Sequence, residues 1–251
     1  QVAQKLYIAD NPHPYEKGNL LDVAPDNSEY STAHKRFHAI FAQIANRIGL
    51  EDLMLVDSSL RVVYTYQKTT EFATNLATGP YANTNLSQGV RAMLKTGDRS
   101  AVHLADFELY RPNLGKPAAF FCAPIFDGQI PAGVIVFQMP IDRIIQVMTA
   151  NGGWESEGLG KTGEVYLVGP DKLMRSRSRF MIEDPKNALI ELGKVGLPQA
   201  TLRQIERQGT VLLTMPVANE STRLALAGES GVHEMRDYRN IDVVSAYGPL
   251  D

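Results

Sequence analysis

Hydrophobic residues recur at helical spacing in the stretch between Asn27 and Gly49. They are Tyr30, Phe37, Ile40, Phe41, Ile44 and Ile48. This spacing predicts one long amphipathic helix, with Ser28 or Ser31 as its N-cap and Gly49 as its C-cap. Residues 1–27 are rich in Pro, Asn and Asp. They predict a short helix or extended entry over residues 2–8 and then an irregular loop, because proline interrupts helical hydrogen bonding.

From Asp52 the pattern changes to short apolar runs bounded by turn residues, which is typical of strands. Runs 53–56 and 60–67 flank a turn at residues 57–59 and predict a β-hairpin. A helix over about residues 85–95 follows, and then three apolar runs at 101–110, 118–126 and 132–139. The sum predicts an antiparallel sheet of five strands flanked by helices, which is a PAS-like α+β module.

The second half of the chain repeats this order of elements. A connecting helix at 141–148 and a glycine-containing linker at 150–157 lead to a second hairpin pattern, in which runs 165–168 and 173–179 flank Gly169-Pro170-Asp171. Helices are predicted at 187–192 and 199–208, and strands at 211–215, 222–227, 231–236 and 243–247. The fold class is therefore α+β with two similar modules, divided into residues 1–49, 50–149 and 150–251.

The sequence Gly160-Lys161-Thr162 invites comparison with a phosphate-binding loop. Such a loop needs glycine five residues before its Gly-Lys-Thr and must open a helix. Here Glu155 occupies that position, and a strand-like run follows Thr162. We therefore expect a structural turn and no nucleotide site.

The histidines and the single cysteine offer little chemistry. His34 and His38 share a helix face, but Lys35 stands where a zinc protease would place its glutamate, and no third ligand is identifiable. A solvated or packed histidine pair is expected instead of a metal site. Cys122 lies in an apolar run and is expected to be a small buried hydrophobe. No spacing builds a nucleophile and base pair, so we expect neither an enzyme nor a cofactor.

Composition narrows the class further. The chain has 251 residues, a formal net charge of −3 and 21% charged residues. It lacks the basic stripe of a nucleic-acid-binding protein, and its apolar runs are shorter than the ~20 residues of a membrane span. No signal-peptide pattern opens it at Gln1. We expect a soluble molecule, which also fits an ectodomain separated from its membrane helices.

Aromatic residues of the first module are the candidate lining of a ligand pocket, although half of them are expected to be ordinary core. They are Tyr66, Tyr81, Phe107, Tyr110 and Phe121. Asp106 is an acid within an apolar strand, and it either faces solvent or needs a partner such as a ligand amine.

Two stretches resemble the double Cache sensor domain, an extracytoplasmic part of bacterial membrane receptors. Residues 160–179, KTGEVYLVGPDKLMRSRSR after the first glycine, resemble the start of its second module, except that Lys172 replaces a glycine. Residues 231–250 resemble its closing pattern, with Asn240 in place of a glycine. The resemblance implies a periplasmic ligand sensor anchored by flanking helices, a homodimer through the long helix, and a second sheet that lacks its last strand.

The resemblance also implies site residues. Tyr81 falls on the tyrosine of an Arg-x-Trp-Tyr segment that holds amino-acid ligands, Asp106 falls on one acid, and Gln138 stands where another acid is usual. Thr78 and Pro80 replace the arginine and tryptophan. The ligand is therefore expected to be another small metabolite, such as an amine, a carboxylate or a neutral polar molecule. A structural or protein-binding ectodomain without a small ligand is the alternative.

Overall fold

The structure is a computed structural model that describes residues 2–250. The chain forms two compact units, residues 1–140 and residues 141–251. In chain order the first unit contains α1 (Val2–Gln4), α2 (Glu29–Ile48), β1 (Asp52–Asp57), β2 (Val62–Thr65), α3 (Asn85–Lys95), β3 (His103–Tyr110), β4 (Lys116–Asp127) and β5 (Ile130–Gln138). A π-helical turn, Lys5–Ala9, and two 3₁₀ segments, Tyr15–Leu20 and Arg111–Asn113, complete it.

Helix α2 forms where the hydrophobic spacing predicts it. The Ser28 hydroxyl accepts a hydrogen bond from the Ser31 amide at 3.1 Å, and this bond satisfies a donor of the first turn. At the other end Gly49 adopts φ 77°, a left-handed conformation that glycine takes without strain. Both predicted caps are confirmed.

The first unit is built on a five-stranded antiparallel sheet with the order β2-β1-β5-β4-β3. Helix α3 packs on one face through a core that includes Met54, Val136, Phe120 and Cys122. The other face packs toward α2 through Leu53, Tyr64, Tyr66 and Phe137. We call these the α3 face and the α2 face of the sheet.

A β-bulge in β3 changes which side chains of that strand reach the α3 face. Ala105 pairs with Phe120 and Glu108 pairs with Ala118, so β3 has one residue more than β4 between these pairs. An extra residue reverses the alternation of side chains beyond the bulge. As a result both Ala105 and Tyr110 lie in the α3-face core, although five positions separate them.

The second unit has mostly helices and a small second sheet. Its elements are α4 (Ile141–Met148), α5 (Arg179–Glu183), α6 (Pro185–Lys194), α7 (Gln199–Gln208), α8 (Glu220–Leu226), β6 (Gly231–Arg236) and β7 (Asp242–Tyr247). Strands β6 and β7 form an antiparallel two-stranded sheet. The α+β class, the long N-terminal helix, the five-stranded sheet and the presence of a second sheet are thus as predicted.

Several strands predicted in the second unit are wrong. The stretch 222–227 is helical because the Asn219 side chain caps α8 by accepting from the Thr222 amide at 2.9 Å. Residues 211–215 form a turn in which the Met215 amide donates to Val211 O at 2.9 Å. The hairpin around Gly169 is reduced to an isolated bridge between Val168 and Met174.

The turn at that bridge explains one departure of this sequence from the Cache pattern. Lys172 adopts φ 64°, the left-handed region that favours glycine. Its amide donates to Gly169 O at 2.8 Å, and Gly169 N donates to Leu173 O at 3.0 Å. The turn therefore keeps the backbone that a glycine would favour, with a lysine in its place.

Candidate functional site

A row of side chains crosses the α3 face of the sheet at one end of its central strands. Asp52 in β1 pairs with Gln138 in β5, and Gln138 pairs with Phe120 in β4. All three side chains are buried. The Gln138 side-chain amide donates to Glu51 Oε2 at 2.7 Å. The row therefore brings an acid, an amide and an aromatic ring onto one buried surface.

The loop that follows β2 adds a second acid to this surface. Asp52 Oδ1 accepts from the amides of Leu53 at 2.7 Å and Gln67 at 3.0 Å. The Thr69 hydroxyl lies 2.7 Å from Glu71 Oε1 and 3.2 Å from Asp52 Oδ2. Thr69 thus connects the two carboxyl groups.

Glu71 and Tyr110 are the central pair of the candidate site. Their side chains are 0% and 1% exposed, and neither Glu71 Oε2 nor the Tyr110 hydroxyl makes a hydrogen bond of acceptable geometry in the described protein. The two groups nevertheless lie close enough for each to shift the pKa of the other. Burying a polar atom without a partner costs about 1–3 kcal/mol. Two such atoms in one region therefore mark a place where a hydrogen-bonding ligand gains free energy.

Aromatic rings surround this pair. Tyr110 packs edge-on against Phe120, with ring centroids 5.0 Å apart, and lies 6.3 Å from the ring of Tyr81. The Tyr81 hydroxyl is 2.7 Å from the Thr70 hydroxyl. The β3 bulge is what turns Tyr110 toward this face.

The segment Tyr15–Leu20, which we call the strap, borders the site. Burial and the Glu71 carboxyl raise the pKa of Tyr15, whose hydroxyl donates to Pro112 O. Farther along the strap, Asn19 Nδ2 donates to the Tyr66 hydroxyl at 2.8 Å, and Asn19 O accepts from His38 Nε2 at 2.8 Å. The strap therefore touches both the candidate site and α2.

Burial governs the protonation of the two acids. It raises the pKa of Glu71, and the charge of Asp52 raises it further. Burial also raises the pKa of Asp52, but the amides of Gln67 and Leu53 and the Lys68 ammonium oppose the change. The proton therefore belongs on Glu71. Thr69 has one hydroxyl proton and can donate to only one of the two carboxyl groups. If Glu71 is protonated and donates to the Thr69 oxygen, Thr69 can donate its own proton to Asp52.

The second unit contains a buried glutamate and a tyrosine that are hydrogen-bonded to each other. Tyr238 donates to Glu164 Oε2 at 2.7 Å, and Glu164 Oε1 accepts from the Arg179 amide at 2.7 Å. Burial raises the pKa of Glu164 as well. The two pairs thus share chemistry and burial, but only the Glu71–Tyr110 pair leaves polar atoms unbonded.

The histidine pair of α2 lies in a separate polar cluster on the α2 face. The rings of His34 and His38 stack with centroids 4.7 Å apart. His34 Nδ1 donates to Asp22 O at 2.7 Å, and His38 Nδ1 accepts from the Tyr64 hydroxyl at 2.7 Å. Burial lowers the pKa of His34 to about 3. The pair is therefore packed in its neutral form; among residues 2–250 no cluster of His, Cys, Asp and Glu has the makings of a metal site.

Lys68 borders the histidines and is itself buried. Its ammonium donates to the carbonyl oxygens of Thr65 at 3.0 Å and Tyr66 at 3.3 Å. Burial lowers its pKa to about 7, while Asp52 and Asp22 act in the opposite direction. Lys68 is thus the cation that acts on the charge of Asp52.

The structure brings together some of the residues that the sequence suggested. Tyr81, Tyr110 and Gln138 all belong to the α3-face surface described above. Tyr66 lies in the α2-face core, and Phe121 is the neighbour of Phe120 on the opposite face, 40% exposed.

Asp106 and Phe107 lie at the β3 bulge. The Asp106 carboxylate accepts from the Phe107 amide at 2.7 Å, and its backbone carbonyl accepts from Asn85 Nδ2 at 2.9 Å. Phe107 is buried. Their membership of a ligand site stays a prediction.

Sequence reasoning missed Asp52, Thr69, Glu71 and Tyr15. In the sequence Asp52 only marks the start of a strand pattern, and Glu71 lies in a region with no periodicity. One signal was available: Thr69-Thr70-Glu71 is a polar triplet shortly after a segment with two buried tyrosines, Tyr64 and Tyr66. Such a triplet is a candidate for a buried polar site when the loop folds back on its sheet.

The other features singled out in the sequence have structural roles. Lys161 and Thr162 are exposed in a turn, and Arg179 Nη1 fastens this turn by donating to Gly160 O and Gly163 O, each at 2.9 Å. Cys122 is fully buried, and burial raises the pKa of its thiol to about 12. Neither arrangement offers a phosphate site or a reactive thiolate.

Shallow depressions in the second unit do not involve any of the suggested residues. One, of about 230 Å³, is lined in part by Met181, Ile182 and Val211. Another, of about 290 Å³, lies between Leu189 and Leu202. Neither contains a buried acid.

No protein-family model and no curated protein matches the chain. Solved structures of similar fold include the ligand-binding domain of the Pseudomonas fluorescens chemoreceptor CtaA in complex with L-serine, at 14% identity and a TM-score of 0.40. That match covers 74% of this chain but 62% of the CtaA domain, so the chain spans about three fifths of its length.

Two further matches are sensor proteins of Vibrio species. The sensor domain of the V. cholerae histidine kinase DctB matches at 16% identity and a TM-score of 0.42, over 86% of this chain and 71% of that domain. A domain of a sensory box/GGDEF family protein from V. parahaemolyticus matches at 11% identity and a TM-score of 0.45, over 92% of this chain and 76% of that one.

Within residues 2–250 every helix is too short or too polar to cross a lipid bilayer.

Proposed function

We propose that the chain is a ligand-sensing domain and that its first unit binds a small molecule between Glu71 and Tyr110. One observation carries this proposal: two fully buried side chains present unbonded polar atoms beside an acid, an amide and several aromatic rings. Aromatic walls with a few convergent polar groups are the usual composition of a small-molecule site. The closed Glu164–Tyr238 pair supports it by contrast, because that pair needs no further partner.

The proposal extends to the whole protein through the Cache resemblance. In it, the chain is the extracytoplasmic part of a bacterial membrane receptor and has no catalytic role of its own. Residues 50–149 form the ligand-binding module, residues 150–251 form the second module, and residues 1–49 provide the long helix that carries the signal. A ligand shifts such a domain only if it binds one conformation more tightly than another.

The strap offers a path for that shift. Tyr15 lies near Glu71, and Asn19 bonds to both Tyr66 and His38. A ligand that displaces Tyr15 therefore changes the hydrogen bonds of Asn19, four residues along the same segment. The consequence is a change in how α2 is held against the sheet.

A melting screen against a metabolite library tests the proposal. We expect at least one compound to raise the melting temperature of the wild type and to lose this effect in Tyr110→Phe, while Tyr238→Phe retains it. Retention of the full shift in Tyr110→Phe would remove the hydroxyl from the site. No stabilising compound at all would favour a structural or protein-binding ectodomain.

A further inference from the structure

The charges around Glu71 are unbalanced. Asp52 and Glu71 are both buried, and Lys68 acts on Asp52. In residues 2–250 no lysine, arginine or histidine nitrogen forms an ion pair with Glu71; the groups that act on it are Asp52, Thr69 and Tyr110. A buried carboxyl group without a neighbouring cation is either protonated or is stabilised as a carboxylate by a cation that binds from outside.

We propose that the Glu71–Tyr110 site takes a ligand with a protonated amino group, so that the sensed molecule is a small amine. This inference rests on the proposed function, and it adds the chemical class of the ligand. The ammonium would donate to Glu71 Oε2 and to the Tyr110 hydroxyl oxygen, which are the atoms without protein partners.

The hydrogen-bonding inventory fits a donor. An ammonium group has three donors and no acceptor, whereas Glu71 as a carboxylate is only an acceptor. The rings of Tyr81, Tyr110 and Phe120 add aromatic faces, which attract a desolvated cation. A ligand carboxylate would instead lie against two acids, with Lys68 engaged by Thr65 O and Tyr66 O.

The surrounding groups predict how binding depends on pH. Asp52 of β1, Thr69 of its own loop, Tyr110 of β3 and Tyr15 of the strap are the groups whose charges or hydrogen bonds reach Glu71. Lys68 acts on Asp52, and Tyr81 acts on Tyr110 and Tyr15. Because burial keeps Glu71 protonated in the free protein, an amine must displace that proton. Each ligand bound then releases one proton, and affinity rises with pH.

The experiment uses the full chain with matched compounds. Methylamine, ethanolamine, putrescine and tyramine are compared with acetate, succinate, ethanol and p-cresol by thermal shift. Dissociation constants of any stabilising amine are then measured by calorimetry in phosphate at pH 6 and pH 7. The wild type should bind about tenfold more tightly at pH 7, which is the slope for release of one proton.

Variants separate this inference from the proposed function. Glu71→Gln, checked for an unchanged circular dichroism spectrum, should weaken amine binding at pH 7 at least tenfold and abolish the pH slope. Glu164→Gln, which alters a buried glutamate of the other unit, should change neither. If Glu71→Gln does not fold, Tyr110→Phe takes its place, with the expected loss at least fivefold at both pH values.

Three outcomes oppose the inference. Stabilisation by an acid or a neutral compound but by no amine would overturn the amine class and leave ligand sensing in place. Amine binding that is equal in Glu71→Gln and wild type would place the amine elsewhere. Failure of every compound to stabilise the chain would count against both proposals.

Discussion

In the proposed function, the Tyr110 hydroxyl and the Glu71 carboxyl are the groups that bind the ligand. The β3 bulge turns Tyr110 toward the α3 face, and Thr69 holds one oxygen of Glu71. The remaining atoms, Glu71 Oε2 and the Tyr110 hydroxyl, are buried and unbonded. Such atoms lower the stability of the free protein, and a partner that hydrogen-bonds to them recovers that free energy.

Removal of the Tyr110 hydroxyl should therefore not destabilise the free protein. We expect Tyr110→Phe to leave the free energy of unfolding unchanged or to raise it by up to ~1 kcal/mol, whereas Tyr238→Phe should lower it by about 1–2 kcal/mol through loss of the bond to Glu164. Urea denaturation measures both. An equal loss in the two variants would show that Tyr110 already has a partner in the protein.

His34 should make the protein sensitive to acid. Its pKa is lowered from 6.5 to about 3 in the folded state, chiefly by burial. The unfolded chain therefore binds a proton that the folded chain does not. The contribution of His34 to stability is complete above pH 6.5 and is lost as pH falls toward 3, by at most about 1.4 kcal/mol per pH unit.

Urea denaturation between pH 7 and pH 4 tests this dependence. His34→Phe should flatten the acid limb of the stability profile, and His13→Phe, a change at a loop histidine, should leave it as in the wild type. If the profiles of stability against pH run parallel for the wild type and His34→Phe, His34 takes up its proton in the folded protein.

Sequence patterns locate a residue well where the local pattern decides its environment. Tyr110 and Gln138 lie in strands that periodicity locates, and Tyr81 lies in the turn before α3. Glu71 and Asp52 become a site only because the 67–71 loop folds back over β1, a long-range contact that no local pattern reports. Tyr66 and Phe121 fell on the other face because a strand presents alternate residues to opposite sides.

At the scale of elements, the strap depends on one close backbone approach. A Cβ added to Gly18 would lie 2.5 Å from Gln67 O and 3.2 Å from Lys68 Cβ. Asn11 Nδ2 also donates to Gly18 O at 3.1 Å. Only glycine lets the strap reach the loop that carries Glu71.

Gly18→Ala should therefore move the strap away from the site. We expect a loss of about 1–3 kcal/mol in the free energy of unfolding, in the range for overpacking. We also expect faster amide exchange in residues 15–20 and 67–71. Gly97→Ala is the matched control, because nothing lies within 4 Å of its added Cβ. Equal rates of amide exchange in Gly18→Ala and Gly97→Ala would contradict a role of the strap at the site.

Helix α2 presents an apolar stripe on its outer side. Phe37, Ile40 and Ile48 are 42%, 51% and 51% exposed. We propose that a second copy of the chain covers this stripe. Ile40→Glu should shift the sedimentation of the protein from dimer to monomer. Val102→Glu, at an exposed valine outside this stripe, should not. A wild type that sediments as a monomer at high concentration would contradict the proposal.

Elements whose ends are marked by local capping residues were predictable, and elements fixed by distant contacts were not. Helices α2 and α3 carry side-chain caps at Ser28 and Thr84, so their ends can be located from local sequence. The stretch 165–168 has the composition of a strand, yet the Leu167 amide bonds to Ser176 Oγ and Met174 bonds to the 213–215 turn. These contacts replace the sheet ladder that the composition favours.

At the scale of the molecule, the two units differ in how their buried polar groups are satisfied. The second unit closes its Glu164–Tyr238 pair and fastens its opening turn through Arg179. The first unit leaves five buried polar atoms without a hydrogen bond in the described protein: His34 Nε2, Thr65 Oγ1, Gln67 Oε1, Glu71 Oε2 and the Tyr110 hydroxyl. This contrast is the reason why the proposed function places ligand binding in the first unit and gives the second a supporting role.

A crystal structure of the chain with its most stabilising compound tests that assignment most directly. The account predicts electron density for the compound within hydrogen-bonding distance of both Glu71 Oε2 and the Tyr110 hydroxyl, beneath the strap. A compound bound in the second unit, or a lone water between Glu71 and Tyr110 with the compound elsewhere, would contradict it.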